Sequence, residues 1–239
     1  IGAIIGTLYS AGKSGKEIHD WIRKYFISRD DQFSDIYQRR NDLFRWLRAV
    51  RPSWDNSGLL SAERFIDFVL SDLSVTRIEE LDIPLRIVAT DFERGEQVIL
   101  DRGDLRSALQ ASMSIPGIFR PVKDNGRILV DGGVINNLPY DILPECCDLT
   151  IAIDMIPVHE PDQDRIPSLV EVTLGTFDMM LRRITAAKLE QKPPDLYLPV
   201  ELRGIHMLDF TKIDQVWEQS EPAMAVLREK IACLLGQHD

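Results

Sequence analysis

The stretch NGRILVDGGVINNLP, residues 125–139, sets a turn, a strand and a carboxylate in immediate succession. Asn125-Gly126 is a strong two-residue hairpin signal, because both residue types tolerate the positive φ that such turns require. It joins a predicted strand near 118–122 to one at 127–130. Asp131 follows the second strand directly, with Gly132, Gly133 and then Asn136 and Asn137 behind it. In α/β sheets, ligands gather beyond the carboxyl ends of strands. Glycines let the backbone turn sharply and leave space beside a carboxylate. Taken alone, Asp-Gly-Gly is more often turn chemistry than a catalytic site.

Moving upstream, Asp104 caps a predicted helix through Met113, and Ser114-Ile115-Pro116-Gly117 ends it. Before it, the apolar run 85–90 after Pro84 reads as a buried strand. Arg94-Gly95 turns it into a second strand at 97–100. The first dozen residues, IGAIIGTLYSAG, predict a helix. Its small residues Gly2, Ala3 and Gly6 suggest close packing against a sheet, and Gly12 is its stop. Ser14 and Glu17 form a capping box for the next helix, where Ile18, Trp21, Ile22 and Tyr25 recur at helical spacing. An aromatic-rich helix is expected at 42–50, a loop at 51–58, and a helix carrying Phe65, Phe68 and Val69 after a Ser61 cap. Most of these aromatic residues, with Phe44 and Trp46, are expected in the core rather than in a ligand pocket.

Downstream, 149–153 reads as a strand and the acidic, proline-rich 157–167 as an exposed loop. Ser168 and Glu171 open a long helix towards Pro193; 195–198 is the last predicted strand. A final helix spans about 213–235, with a break or kink expected at Pro222. Strands separated by long helices predict an α/β layered domain.

The 239 residues are 44% hydrophobic, enough for one sizeable core. A net charge of −10 with scattered Lys and Arg argues against nucleic acid as a partner. No apolar run reaches the length of a membrane span, and the first residues lack a signal peptide's charged segment. Cys146, Cys147 and Cys233 are an odd set with one adjacent pair, which suits a reducing compartment and no disulfide framework. Neither metal-ligand spacing nor a cofactor motif is present, so no metal and no cofactor are expected.

The order of these motifs is more specific than any one of them. Residues 103–122 (GDLRSALQASMSIPGIFRPV), the Asn125-Gly126 hairpin and residues 131–139 (DGGVINNLP) together closely resemble the patatin-like phospholipases, especially the bacterial branch related to neuropathy target esterase. Ala89-Thr90-Asp91 with Gly95-Glu96 resembles the family segment upstream. Residues 195–199 (DLYLP) and Asp209-Phe210 resemble its C-terminal part.

The resemblance implies a three-layer α/β fold with a mainly parallel central sheet flanked by helices. It implies one domain over 1–239, lacking its N-terminal strand, glycine-rich oxyanion loop and nucleophile strand. In this family the nucleophile is the serine of G-x-S-x-G, on a tight strand-to-helix turn. Ile1-Gly2-Ala3 is similar to the end of that motif, with Gly2 as its final glycine and the serine expected immediately before Ile1. Asp131 is then the catalytic base, Gly132 and Gly133 complete its motif, and the backbone N–H of Ile1 is an oxyanion donor. The implied substrate is a phospholipid, lysophospholipid or other fatty-acyl ester. A cytoplasmic protein with transient membrane-surface contact is expected. The oligomeric state is left open.

Rival chemistry finds less support. His19, His159, His206 and His238 lie in no recognisable triad motif, and the resemblance requires no histidine. Gly12-Lys13-Ser14 lacks the glycine a phosphate loop needs five positions earlier, where Thr7 stands. Ser112 and Ser114 are expected to cap or pack near the Pro116-Gly117 turn, and Asp154 to be structural. The alternative function is a non-catalytic patatin-like module that binds lipid or protein. A third is acyl transfer to an acceptor other than water, which would share the acyl-enzyme.

Overall fold

Connection lengths govern how these strands pair. The computed structural model describes residues 1–27, 63–144, 147–158, 169–205 and 212–236. Its elements begin with α1 (Gly2–Ser10), α2 (Gly15–Ile27), α3 (Glu63–Ser71), β1 (Ile87–Asp91), β2 (Glu96–Leu100) and α4 (Leu105–Ser112). They continue with β3 (Val122–Asp124), β4 (Arg127–Asp131), β5 (Ile151–Val158), α5 (Leu169–Gln191), β6 (Leu196–Arg203) and α6 (Ile213–Gly236). The expected helix at 42–50, the loop at 51–58, the Ser61 and Ser168 caps and Asp209-Phe210 lie outside the described residues.

The turn 92–95 joins β1 to β2, and Asn125-Gly126 alone joins β3 to β4. Both turn residues of the second hairpin have positive φ, 46° and 79°. Connections this short permit only antiparallel neighbours. The result is a four-stranded sheet ordered β2-β1-β4-β3, antiparallel at every pair. The mainly parallel central sheet expected above is therefore wrong for the described residues. Only β5 and β6 pair in parallel, in a separate two-stranded sheet, because α5 supplies the long crossover that parallel strands need.

Local signals in the sequence translate directly. Gly12 takes φ 86° just past α1, and the Lys13 N–H returns to the Leu8 carbonyl. Ser14 and Glu17 form the reciprocal capping box that starts α2. The Asp104 side chain accepts from the Ser107 N–H at 2.7 Å and starts α4. Several expectations differ. β3 begins at Val122, because Ile118 and Phe119 are buried in a turn closed on the Ile115 carbonyl. β5 runs through Pro157 to Val158 instead of giving way to a loop. Among the described residues β5 pairs with β6 alone, so a missing N–H is tolerated there. α6 runs unbroken through Pro222.

One apolar cluster gathers Ile4 and Leu8 of α1, Ile18 and Trp21 of α2, Ile66 and Val69 of α3, Ile87 of β1, and Leu105 and Leu109 of α4. α1 packs closely because Gly6 leaves room for Leu85, whose Cδ1 lies 3.1 Å from where a Cβ would stand. A smaller cluster joins Leu196, Leu198, Val200 and Leu202 of β6 to Leu227 of α6. No helix among the described residues is long and apolar enough to cross a membrane. α4 carries the larger cluster onto the sheet, so Leu109→Ala, at a fully buried position, is expected to cost about 3–5 kcal/mol. A urea-unfolding midpoint measures it.

Candidate active site

Asp131 closes β4 and is anchored by three neighbours. Its N–H donates to the Ser114 carbonyl at 3.0 Å. Its carbonyl accepts from Thr90 Oγ1 at 2.9 Å. Its carboxylate Oδ1 accepts the Gly133 N–H at 2.6 Å. Ser114 is itself pinned, with its one hydroxyl proton shared between the carbonyls of Gln110 at 2.7 Å and Arg120 at 2.8 Å. It is buried and occupied, and holds Asp131 through its backbone rather than offering a nucleophile.

The two glycines have separate reasons. A Cβ on Gly132 would stand 2.3 Å from the Val88 carbonyl oxygen, so only hydrogen fits between this residue and β1. A Cβ on Gly133 would stand 2.9 Å from Asp131 Oδ1 and 3.3 Å from Asn137 Oδ1. The first glycine lets the chain turn tightly against β1. The second keeps the flank of the carboxylate clear.

Burial pushes the Asp131 carboxyl above the usual carboxylate range. The positive α-amino group of Ile1 and the Gly133 N–H pull it back part of the way. The same pairing acts on Ile1: burial lowers its amino group, and Asp131 opposes that. The fold thus brings the start of α1 to the end of β4, although the two are 130 residues apart in sequence. In a longer chain the Ile1 nitrogen is an uncharged peptide N–H, and burial then acts on Asp131 with less opposition. Ile1 caps α1 through its carbonyl, which accepts from the N–H groups of Ile4 and Ile5. An α-helix leaves its first N–H groups without intrahelical partners, so this end of α1 carries partial positive charge. Nothing described comes within 4 Å of a Cβ placed on Gly2.

Other sequence candidates lie elsewhere. His19 touches Asp214 at 3.2 Å and Asp20 at 3.3 Å and rests on the Trp217 ring at 4.5 Å, tying α2 to α6. The other three histidines lie outside the described residues. Asp154 accepts from the Tyr197 hydroxyl at 3.0 Å, a tie between β5 and β6. Asp91 closes the β1–β2 turn through Arg94, 2.8 Å away. A polar groove of about 490 Å³ lined by Asp91, Arg94, Gln97, Asn125 and Arg127 does not include Asp131. Sequence reasoning missed Lys188 and Gln97, which both bind Asn136. One lysine within an amphipathic helix and one glutamine on a strand carry no local signal of that role.

Comparison with known proteins gives concordant results. Residues 1–144 match the family described as Patatin-like phospholipase. An uncharacterized NTE family protein of Mycobacterium tuberculosis is 35% identical over 188 residues, 78% of this chain and 47% of that protein. The Lysophospholipase NTE1 of Candida glabrata is 26% identical over 184 residues, 77% of this chain and 10% of that protein. The chain thus spans about half the length of the mycobacterial relative.

Two expectations follow from this geometry. Gly132→Ala must move backbone, and is expected to lower stability by about 2–3 kcal/mol, whereas Gly133→Ala meets a movable carboxylate and costs less. Chemical denaturation of both variants tests the order. The raised Asp131 carboxyl gives a pH signature. Stability linked to it is full below the unfolded value, about 3.9, and is lost as pH rises through the folded value. Asp131→Asn should therefore melt above wild type at pH 8, with the gap closing near pH 4.

Proposed function

The chain belongs to the patatin-like phospholipase family, and on that premise we propose that it is part of a serine-dependent lipid acyl hydrolase with Asp131 as general base. The observation that carries this reading is the setting of Asp131. It is a carboxylate at a strand's end, packed on most sides, raised by burial, oriented by the Gly133 N–H and brought towards the start of α1. A general base of ordinary carboxylate pKa would hold a serine proton poorly. Burial corrects that, and the hydrogen bond from Gly133 sets the direction in which the free oxygen points.

The proposed nucleophile is a serine encoded immediately before Ile1. Its Oγ attacks the ester carbonyl while its proton passes to Asp131. The tetrahedral oxyanion is met by backbone N–H donors, among them that of Ile1 at the start of α1. Collapse expels the alcohol, which takes the proton back from Asp131, and leaves an acyl-enzyme. Water then attacks the acyl group and gives its proton to Asp131; collapse of this second tetrahedral intermediate releases the fatty acid and expels the serine oxygen, which takes that proton back from Asp131. The substrate class, a lysophospholipid or related fatty-acyl ester, is supported by the likeness to the fungal Lysophospholipase NTE1.

The assay uses the chain with its encoded upstream residues and a lysophospholipid as substrate. Asp131→Asn is expected to lower kcat about 10³-fold. Because the base works deprotonated, kcat/KM should fall on the acid side, with a midpoint above the ordinary carboxylate value of about 3.9. Equal rates for wild type and Asp131→Asn would remove Asp131 from the mechanism. A residue other than serine before Ile1 would instead favour a lipid- or protein-binding module.

A further inference from the structure

The loop that follows Asp131 is tied down by a residue far away in sequence. From α5, the Lys188 ammonium donates to Asn136 Oδ1 at 2.5 Å, to Asp141 Oδ1 at 2.8 Å, and to the Leu138 carbonyl. It also sits 4.6 Å from the centre of the Tyr140 ring, while the Tyr140 hydroxyl donates to the carbonyl of Lys192, just past the end of α5. The groups that Lys188 contacts all lie on one short segment, residues 136–141.

Asn136 passes the constraint towards Asp131. Its side chain is buried, and its Nδ2 donates to Gln97 Oε1 at 2.6 Å and to Asp141 Oδ1 at 3.0 Å. Its backbone N–H donates to the Gly132 carbonyl at 2.9 Å, inside the turn that carries the Gly133 N–H onto the carboxylate. Burial would lift Asp141, yet hydrogen bonds from Lys188 and Asn136 and the Lys188 charge hold it below the usual range. A cation with three oxygen acceptors and an aromatic face is a built site, and without it the buried Asn136 Oδ1 would lose the donor that holds it.

We propose that Lys188 is a positioning residue for the reaction: through Asn136 it locks the turn after Asp131 and so fixes the carboxylate against the Gly133 N–H. The proposal rests on Asp131 being the base. Lys188 lies beyond residues 1–144, the stretch that matches the family. A small displacement of a catalytic group costs rate far more than it costs substrate binding.

The test uses the full chain with its upstream residues, a p-nitrophenyl fatty-acyl ester, and the variants Lys188→Met and Asp131→Asn. Lys188→Met is expected to lower kcat about 10- to 100-fold with KM nearly unchanged. The acid limb of the pH profile should move to higher pH, because a loosened Gly133 hydrogen bond no longer holds the carboxylate down. The shift should persist at about 1 M salt, where a charge acting through solvent is screened. If Lys188→Met does not fold, Lys188→Gln, which keeps a donor without the charge, is measured in the same way. Wild-type kcat and an unmoved acid limb in a folded Lys188 variant would overturn the proposal. So would a loss that merely tracks the unfolded fraction, or a shift abolished by salt. An active Asp131→Asn enzyme would instead overturn the reading beneath it, which separates the two failures.

Discussion

The close approach of Gly132 to the Val88 carbonyl is the constraint on which the rest of the site depends. At that contact there is no volume for a side chain. The chain leaving β4 can therefore turn flat against β1, and that turn brings the Gly133 N–H back onto the carboxylate of Asp131. The antiparallel pairing of β1 with β4, in which Ala89 faces Asp131, supplies the wall against which the turn is made. Ser114, at the end of α4, receives the Asp131 N–H from the other side. Strand, helix end and turn thus each hold a different atom of one residue.

This anchoring has an electrostatic cost. A carboxylate taken out of water becomes more basic and less stable as an anion. The hydrogen bond from Gly133 limits that cost without cancelling it. The compromise suits a general base, which must bind a proton briefly and release it. Lys188 belongs to the same scheme at one remove: its charge is spent on Asn136, Asp141 and the Leu138 carbonyl, not on Asp131 itself. A cation placed directly against Asp131 would draw its pKa down and weaken it as a base.

The sheet shows how far local sequence reasoning reaches. Asn125-Gly126 specified a two-residue hairpin, and Arg94-Gly95 the turn between β1 and β2. Both statements already contained the antiparallel pairing, because short connections allow nothing else. The expected parallel sheet followed instead from a resemblance at the level of fold, which says nothing about the pairing of these particular strands. Gly12, the Ser14–Glu17 box and the Asp104 cap were legible because each involves residues within a few positions of one another.

By itself, then, the amino-acid sequence determined the caps, the turns, most element positions and the identity of Asp131 as the residue to watch. All of these depend on neighbours in the chain or on an ordered string of short motifs. Only the tertiary structure decided that Asp131 is raised by burial, that Ile1 stands beside it, that Gly132 meets Val88, and that Lys188 reaches Asn136 across 52 residues. The physical reason is range. Capping and turn preferences act over one or two peptide units, whereas desolvation and side-chain convergence exist only once distant segments have packed together.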